Sequence, residues 1–144
     1  MKSDSENICR YGAYAIIIQD NKLLLTQKKS GPFKGLWDLP GGAIEFGETP
    51  EIAVKREVLE ETAFEASKVE LLTVLAYHGS FFTDRNEIKI HHIGIIYRVD
   101  NIFLLSNRIP EEQVRWLPIS EIDSEELTPF AKQSWTNKFF YEKN

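Results

Sequence analysis

Glu57, Glu60 and Glu61 stand three and four residues apart inside the run 42–64, GAIEFGETPEIAVKREVLEETAF. On a helix, positions i, i+3 and i+4 are neighbours, so these carboxylates would share one arc. The run from Pro50 onward predicts such a helix. Thr49 is a good N-cap, Pro50 has the fixed φ suited to the first helical position, and Glu51 sits against the positive helix start. Crowded carboxylates repel one another, and Arg56, four residues before Glu60, offsets only part of that cost. A multivalent cation would offset it, and an all-oxygen ligand set favours Mg²⁺ or Mn²⁺ over zinc. A solvated acidic helix face is the plain alternative, because such clusters are common on surfaces.

Upstream, Leu39-Pro40-Gly41-Gly42 reads as a strand end entering a loop whose glycines allow close backbone approach and free carbonyls. A metal-lined helix entered from such a loop is suited to holding a polyphosphate. The stretch resembles the signature of the Nudix (MutT-like) hydrolases, G-x5-E-x7-R-E-U-x-E-E-x-G-U, with U a bulky aliphatic residue. Gly42, Glu48, Arg56, Glu57, Val58, Glu60 and Glu61 match at the required spacings. The six single-residue identities would coincide by chance with a probability on the order of 10⁻⁷ per starting position. There are two departures: Ala63 stands where the family has glycine, and Phe64 replaces the final aliphatic residue. Either Ala63 bears a left-handed conformation, at about 1–2 kcal/mol, or the helix runs on before turning.

The resemblance implies an α/β protein of the Nudix fold, an α/β/α sandwich with a mixed β-sheet. It also implies divalent-metal-dependent hydrolysis of a nucleoside diphosphate linked to a group X, giving a nucleoside monophosphate and phosphorylated X. On this reading Glu57, Glu60 and Glu61 hold the Mg²⁺ or Mn²⁺, with the Gly42 carbonyl as a further ligand. Arg56 orients the glutamates, and Glu48 is a partner of Arg56 or an outer-shell group rather than a direct ligand. The general base is a carboxylate of the signature or one on a later stretch, where Glu111, Glu112 and Glu87 are candidates. Phe33, Tyr77, Phe81, Phe82 and Tyr97 include candidates for a ring that stacks on a nucleobase. Nucleoside triphosphates, ADP-ribose, nucleotide sugars and dinucleoside polyphosphates all fit, although Tyr77 and the lack of a suitably placed proline lean away from ADP-ribose. A catalytically inactive Nudix-fold nucleotide-binding or regulatory module is the competing reading. The intact glutamates argue against it, because a domain without metal would gain stability by losing those charges. Family likeness also allows a homodimer.

The elements that must position these residues follow the chain. Its 144 residues suffice for one domain with an ordinary core, residues 1–9 being polar and loose. The strands expected are Tyr11–Gln19, Lys22–Gln27 after an Asp20-Asn21 turn, Trp37–Leu39, Val69–His78, Glu87–Val99 and Gln113–Leu117. Gly79–Asn86 reads as a loop, Ile102–Leu105 as apolar enough for a strand, Ser120–Ile122 as a helical turn and Pro129–Tyr141 as a terminal helix. Lys28, Lys29 and Lys34 flank a Ser30-Gly31-Pro32 turn, either solvated or at the rim of an anion-binding cleft. His91 and His92 are adjacent on a strand, point to opposite faces and cannot serve one site.

A net charge of −5 argues against an extended nucleic-acid interface but not against a nucleotide whose charge is met by metal. Cys9 is the single cysteine, which excludes a disulfide framework and a thiolate zinc site and suits a reducing compartment. No membrane-length apolar run appears, so no membrane partner and a cytoplasmic location are expected.

Overall fold

The computed structural model describes residues 4–141. Its strands are β1 (Asp4–Ile16), β2 (Ile18–Gln19), β3 (Lys22–Gln27), β4 (Trp37–Asp38), β5 (Gly41–Ala43), β6 (Phe64–Phe82), β7 (Asn86–Leu104) and β8 (Gln113–Pro118). Two helices, α1 (Pro50–Thr62) and α2 (Pro129–Thr136), complete the fold with 3₁₀ turns at Ile119–Glu121 and Ser124–Glu126.

One sheet has the order β5-β1-β7-β6. It is mixed, with β1 parallel to β7 and antiparallel to β5, and β6 antiparallel to β7. A smaller antiparallel sheet joins β2, β3 and β4, with β8 on the other edge of β3. The run Ala13–Ile18 is buried throughout because both its faces are covered. Ala13, Ala15 and Ile17 pack with Ala53, Val54 and Val58 of α1. Tyr14, Ile16 and Ile18 pack on the opposite side with Leu127, Phe130 and Ala131 at α2. Period-two alternation along one strand thus feeds two cores and makes the α/β/α sandwich.

Local chemistry explains the helix ends. Thr49 accepts a hydrogen bond from the Ile52 amide at 3.2 Å, with Pro50 in the first turn. At the other end Ala63 has φ 65° and donates its amide to the Leu59 carbonyl at 2.9 Å. The alanine therefore adopts the left-handed conformation itself. α2 stops at Thr136 rather than continuing to Tyr141. Lys138 turns left-handed (φ 61°), its amide reaching the Trp135 carbonyl at 3.1 Å and that of Phe139 reaching Ser134 at 2.9 Å. This is the Schellman arrangement, here without glycine.

Other expectations are corrected: Gly41-Gly42, read as a loop, lies in strand β5 on β1, and β6 begins at Phe64 rather than Val69. Residues 4–9, expected to be loose, pair in parallel with Asn86–His91, a partner that local polarity cannot reveal; residues 1–3 of that stretch lie outside the described residues. Gly79–Phe82, expected in a loop, continues β6 against Glu87–Ile90, which leaves only residues 83–85 as the turn. Cross-strand pairing satisfies those backbone groups better than a loop would. Among the described residues no helix is long and apolar enough to cross a membrane.

Candidate active site

α1 and β5 meet where the glutamates stand. Arg56 forms a two-pronged bond to Glu48, with Nε to Oε2 at 2.7 Å and Nη2 to Oε1 at 2.8 Å. Its Nη1 donates to Glu57 Oε1 at 2.9 Å and Glu60 Oε2 at 3.2 Å, and Nη2 also reaches the Ala43 carbonyl at 3.1 Å. A planar guanidinium can serve this many acceptors at once; an ammonium could not. Glu48 also accepts the Glu45 amide at 2.9 Å. Arg56 and that amide hold the Glu48 carboxyl down to about 2. Glu48 is thus bonded to Arg56 in this structure.

Glu61 lies deeper. Burial pushes its carboxyl up to about 9, against the Gly41 amide bond that favours the anion, and the charges of Glu57, Asp38 and Glu112 push the same way. The Gly41 amide donates to Glu61 Oε2 at 3.3 Å. A Cβ on Gly42 would lie 2.8 Å from the Glu57 carboxylate, so only glycine lets that carboxylate lie against the strand.

Among the described residues no three acidic, histidine or cysteine side chains converge at metal-binding distance. Glu57 and Glu60 each give an oxygen to Arg56 instead. The chemistry of the patch nevertheless fits a hard divalent cation. Its donors are carboxylate and carbonyl oxygens, Glu61 resists ionising there without added positive charge, and Glu112 Oε2 is buried with no hydrogen-bond partner. The second oxygen of each, Glu57 Oε2 and Glu60 Oε1, is not bonded to Arg56 and is left for a cation.

The later acids separate. The Glu111 and Glu112 amides bond to the Glu60 and Glu61 carbonyls at 3.1 and 3.3 Å, capping the end of α1. The Glu111 side chain is exposed, whereas that of Glu112 is half-buried and raises the carboxyls of Glu61 and Asp38. Glu87 shares its strand face with Lys89 and His91, away from the cavity face of Ile90 and His92.

Beside the patch lies a cavity of about 410 Å³, lined by Phe33, Tyr77 and Phe81 among others. Tyr97 packs instead in the α1-side core, and Phe82 is exposed. Lys34 is exposed in its loop, and Lys28 rather than Lys34 lines the cavity. Lys29 Nζ bonds the Glu111 carbonyl. His91 is exposed, while His92 faces the cavity, its Nε2 3.1 Å from Tyr14 Oη and its ring against Tyr77 and Phe130.

Sequence reasoning missed Tyr14, Asp38 and Thr128. Thr128 Oγ1 donates to Asp38 Oδ1 at 2.6 Å, and burial raises the Asp38 carboxyl. The clue was a carboxylate inside the short apolar run Trp37-Asp38-Leu39. Tyr14 connects the two regions, its hydroxyl raised by burial and then by the charges of Asp38, Tyr77, Glu61 and Glu57.

Comparison with known proteins agrees with this fold. An ADP-ribose pyrophosphatase of Methanocaldococcus jannaschii is 41% identical over 87 residues, covering 60% of this chain and 48% of that protein. The chain thus spans about half the length of that relative. An oxidized purine nucleoside triphosphate hydrolase of Danio rerio is 27% identical over 126 residues, 88% of this chain and 72% of that one. The crystal structure of a MutT NUDIX hydrolase from Burkholderia pseudomallei superposes with a TM-score of 0.72 at 24% identity, covering 90% of this chain and 97% of that one. The NUDIX domain family profile matches residues 10–139, and the chain belongs to that family.

Proposed function

We propose that this chain hydrolyses the phosphoanhydride bond of a nucleoside diphosphate linked to a group X, using Mg²⁺ or Mn²⁺ held by Glu57, Glu60, Glu61 and the Gly42 carbonyl. The observation that carries this reading is the Arg56 fork, which holds Glu48 and orients Glu57 and Glu60 on one helix face beside a ring-lined cavity. When bound, the cation neutralises charge on the diphosphate and lowers the pKa of a water. Glu112 takes the proton of the attacking water, a role supported by its buried, unpartnered Oε2 and its proximity to Glu61. The water oxygen bonds to phosphorus, the anhydride P–O bond breaks, and a nucleoside monophosphate leaves with phosphorylated X. Phe33, Tyr77 and Phe81 wall the space for the organic part of the substrate. The relatives' names point to both ADP-ribose and oxidised purine triphosphates as substrates to try. A cytoplasmic location agrees with the exposed free thiol of Cys9.

The test is release of phosphate or nucleoside monophosphate from a nucleotide panel with Mg²⁺ and then with EDTA. Turnover of at least one member that stops with EDTA is expected. Tight nucleotide binding with no turnover of any member would make the chain a binding module instead.

A further inference from the structure

The ring-lined cavity carries more positive charge than the reaction needs. Arg10 and Lys28 both line it. The register Arg10↔His92↔Tyr77 puts the Arg10 side chain on the cavity face of the sheet. The Lys28 backbone is held on the other side, its amide bonded to the Leu36 carbonyl and its carbonyl to the Gly35 amide, each at 2.9 Å, and its side chain is exposed. The two charges converge on one place. Both add to burial in holding the His92 imidazole down to about 4, so the ring is neutral near pH 7.

Asp38 is the one acid in the lining, and the charge of Lys28 acts on it without a close ion pair. Neither Arg10 nor Lys28 makes an ion pair among the described residues. Asp38 is itself bonded by Thr128, with its carboxyl raised by burial. A cationic pocket on a chain of net charge −5 is a local feature, not background. On the reading above, the charge of the diphosphate is met at the glutamate patch by metal. The two cations are therefore left to meet another anion.

We infer that the preferred substrate carries a further phosphate on the part that enters this cavity, read by Arg10 and Lys28 between the rings of Phe33, Tyr77 and Phe81. This rests on the pyrophosphohydrolase reading and names the class of substrate: a nucleoside diphosphate derivative bearing an additional phosphomonoester.

Two matched pairs test it. Calorimetry compares ADP-ribose with 2′-phospho-ADP-ribose, and ADP-ribose with ADP-ribose 1″-phosphate. Ca²⁺ replaces Mg²⁺, so that affinity is read apart from turnover. In at least one pair the phosphorylated member is expected to bind about tenfold tighter or more, the factor one charge-assisted hydrogen bond supplies. That ratio should shrink with rising ionic strength, and Arg10→Gln and Lys28→Gln should each move it toward one. The ratio, not either affinity, is the readout. A ratio near one in both pairs, or no binding by any of the three compounds, overturns the inference. So does equal weakening of both members by the variants, which would place Arg10 and Lys28 on the diphosphate. Failure of all three compounds to be hydrolysed in Mg²⁺ would count against the pyrophosphohydrolase reading, while the affinity ratio would still decide the extra phosphate.

Discussion

A single guanidinium bonds three carboxylates here, and its removal would not be mimicked by loss of any one of them. Glu57→Gln and Glu60→Gln keep the hydrogen-bonding shape but remove charge, so folding should survive while turnover falls by about 100-fold or more. For the base, Glu112→Gln should cost about 10²–10⁴-fold in kcat and Glu111→Gln only a small factor, because Glu112 has a buried, unpartnered oxygen and its charge acts on Glu61. Equal mild effects would discard the assignment. Glu48 gives a pH prediction with a definite sign. Its carboxyl is held near 2 in the folded chain, against an ordinary value of 4.5. Its contribution to stability is therefore complete above about 4.5 and disappears as pH falls through about 2. In acid denaturation followed by circular dichroism, Glu48→Gln should converge on the wild type across that window; a constant gap down to pH 2 would refute the pairing.

Among the elements, α1 was readable from spacing alone. Its cap, its first-turn proline and its acidic face are all encoded within neighbouring turns. Its end was not, because two outcomes at Ala63 were open, and competing terms explain why alanine is tolerated there. Relief of left-handed strain by Ala63→Gly is worth about 1–2 kcal/mol. Against it stand roughly 0.4–1 kcal/mol of added unfolded-chain freedom and about 0.8 kcal/mol for the lost buried methyl. The terms nearly cancel. Denaturant unfolding of Ala63→Gly should thus shift by under about 1 kcal/mol, and Mg²⁺ affinity should be unchanged, since the glutamates precede the turn. A tenfold change in affinity would tie the metal face to the cap. The first half of β1 and the tip of β6 were unreadable for another reason. Their case for being strands lies in partners about 80 residues away or across a short turn, not in their own alternation.

At the scale of the molecule, the sandwich was expected from the family resemblance, and Ile16-Ile17-Ile18, apolar on both faces, fits a sheet covered by two helical layers. The cavity was not. Tyr14, Asp38, His92 and Thr128 come together through contacts between residues 78 and 90 positions apart, and all but Asp38 look ordinary in their own segments. Because β1 contributes alternate side chains to both cores, neither layer should melt alone. A cation that binds only the folded chain should raise the single melting transition, by about 2.7 kcal/mol at 100 times its dissociation constant. Two separate transitions, with only one moved by Mg²⁺, would show that the layers are independent.

The amides of Glu111 and Glu112 grip the last carbonyls of α1, so the candidate base is clamped to the helix that presents the candidate metal-binding glutamates. The 105–110 connection ahead of that clamp can lengthen, shorten or drift in composition without altering the distance between base and metal face. An inserted residue at 111–112 would break both at once. Variation in this part of the chain should therefore be abundant on one side of a sharp boundary and lethal to catalysis on the other.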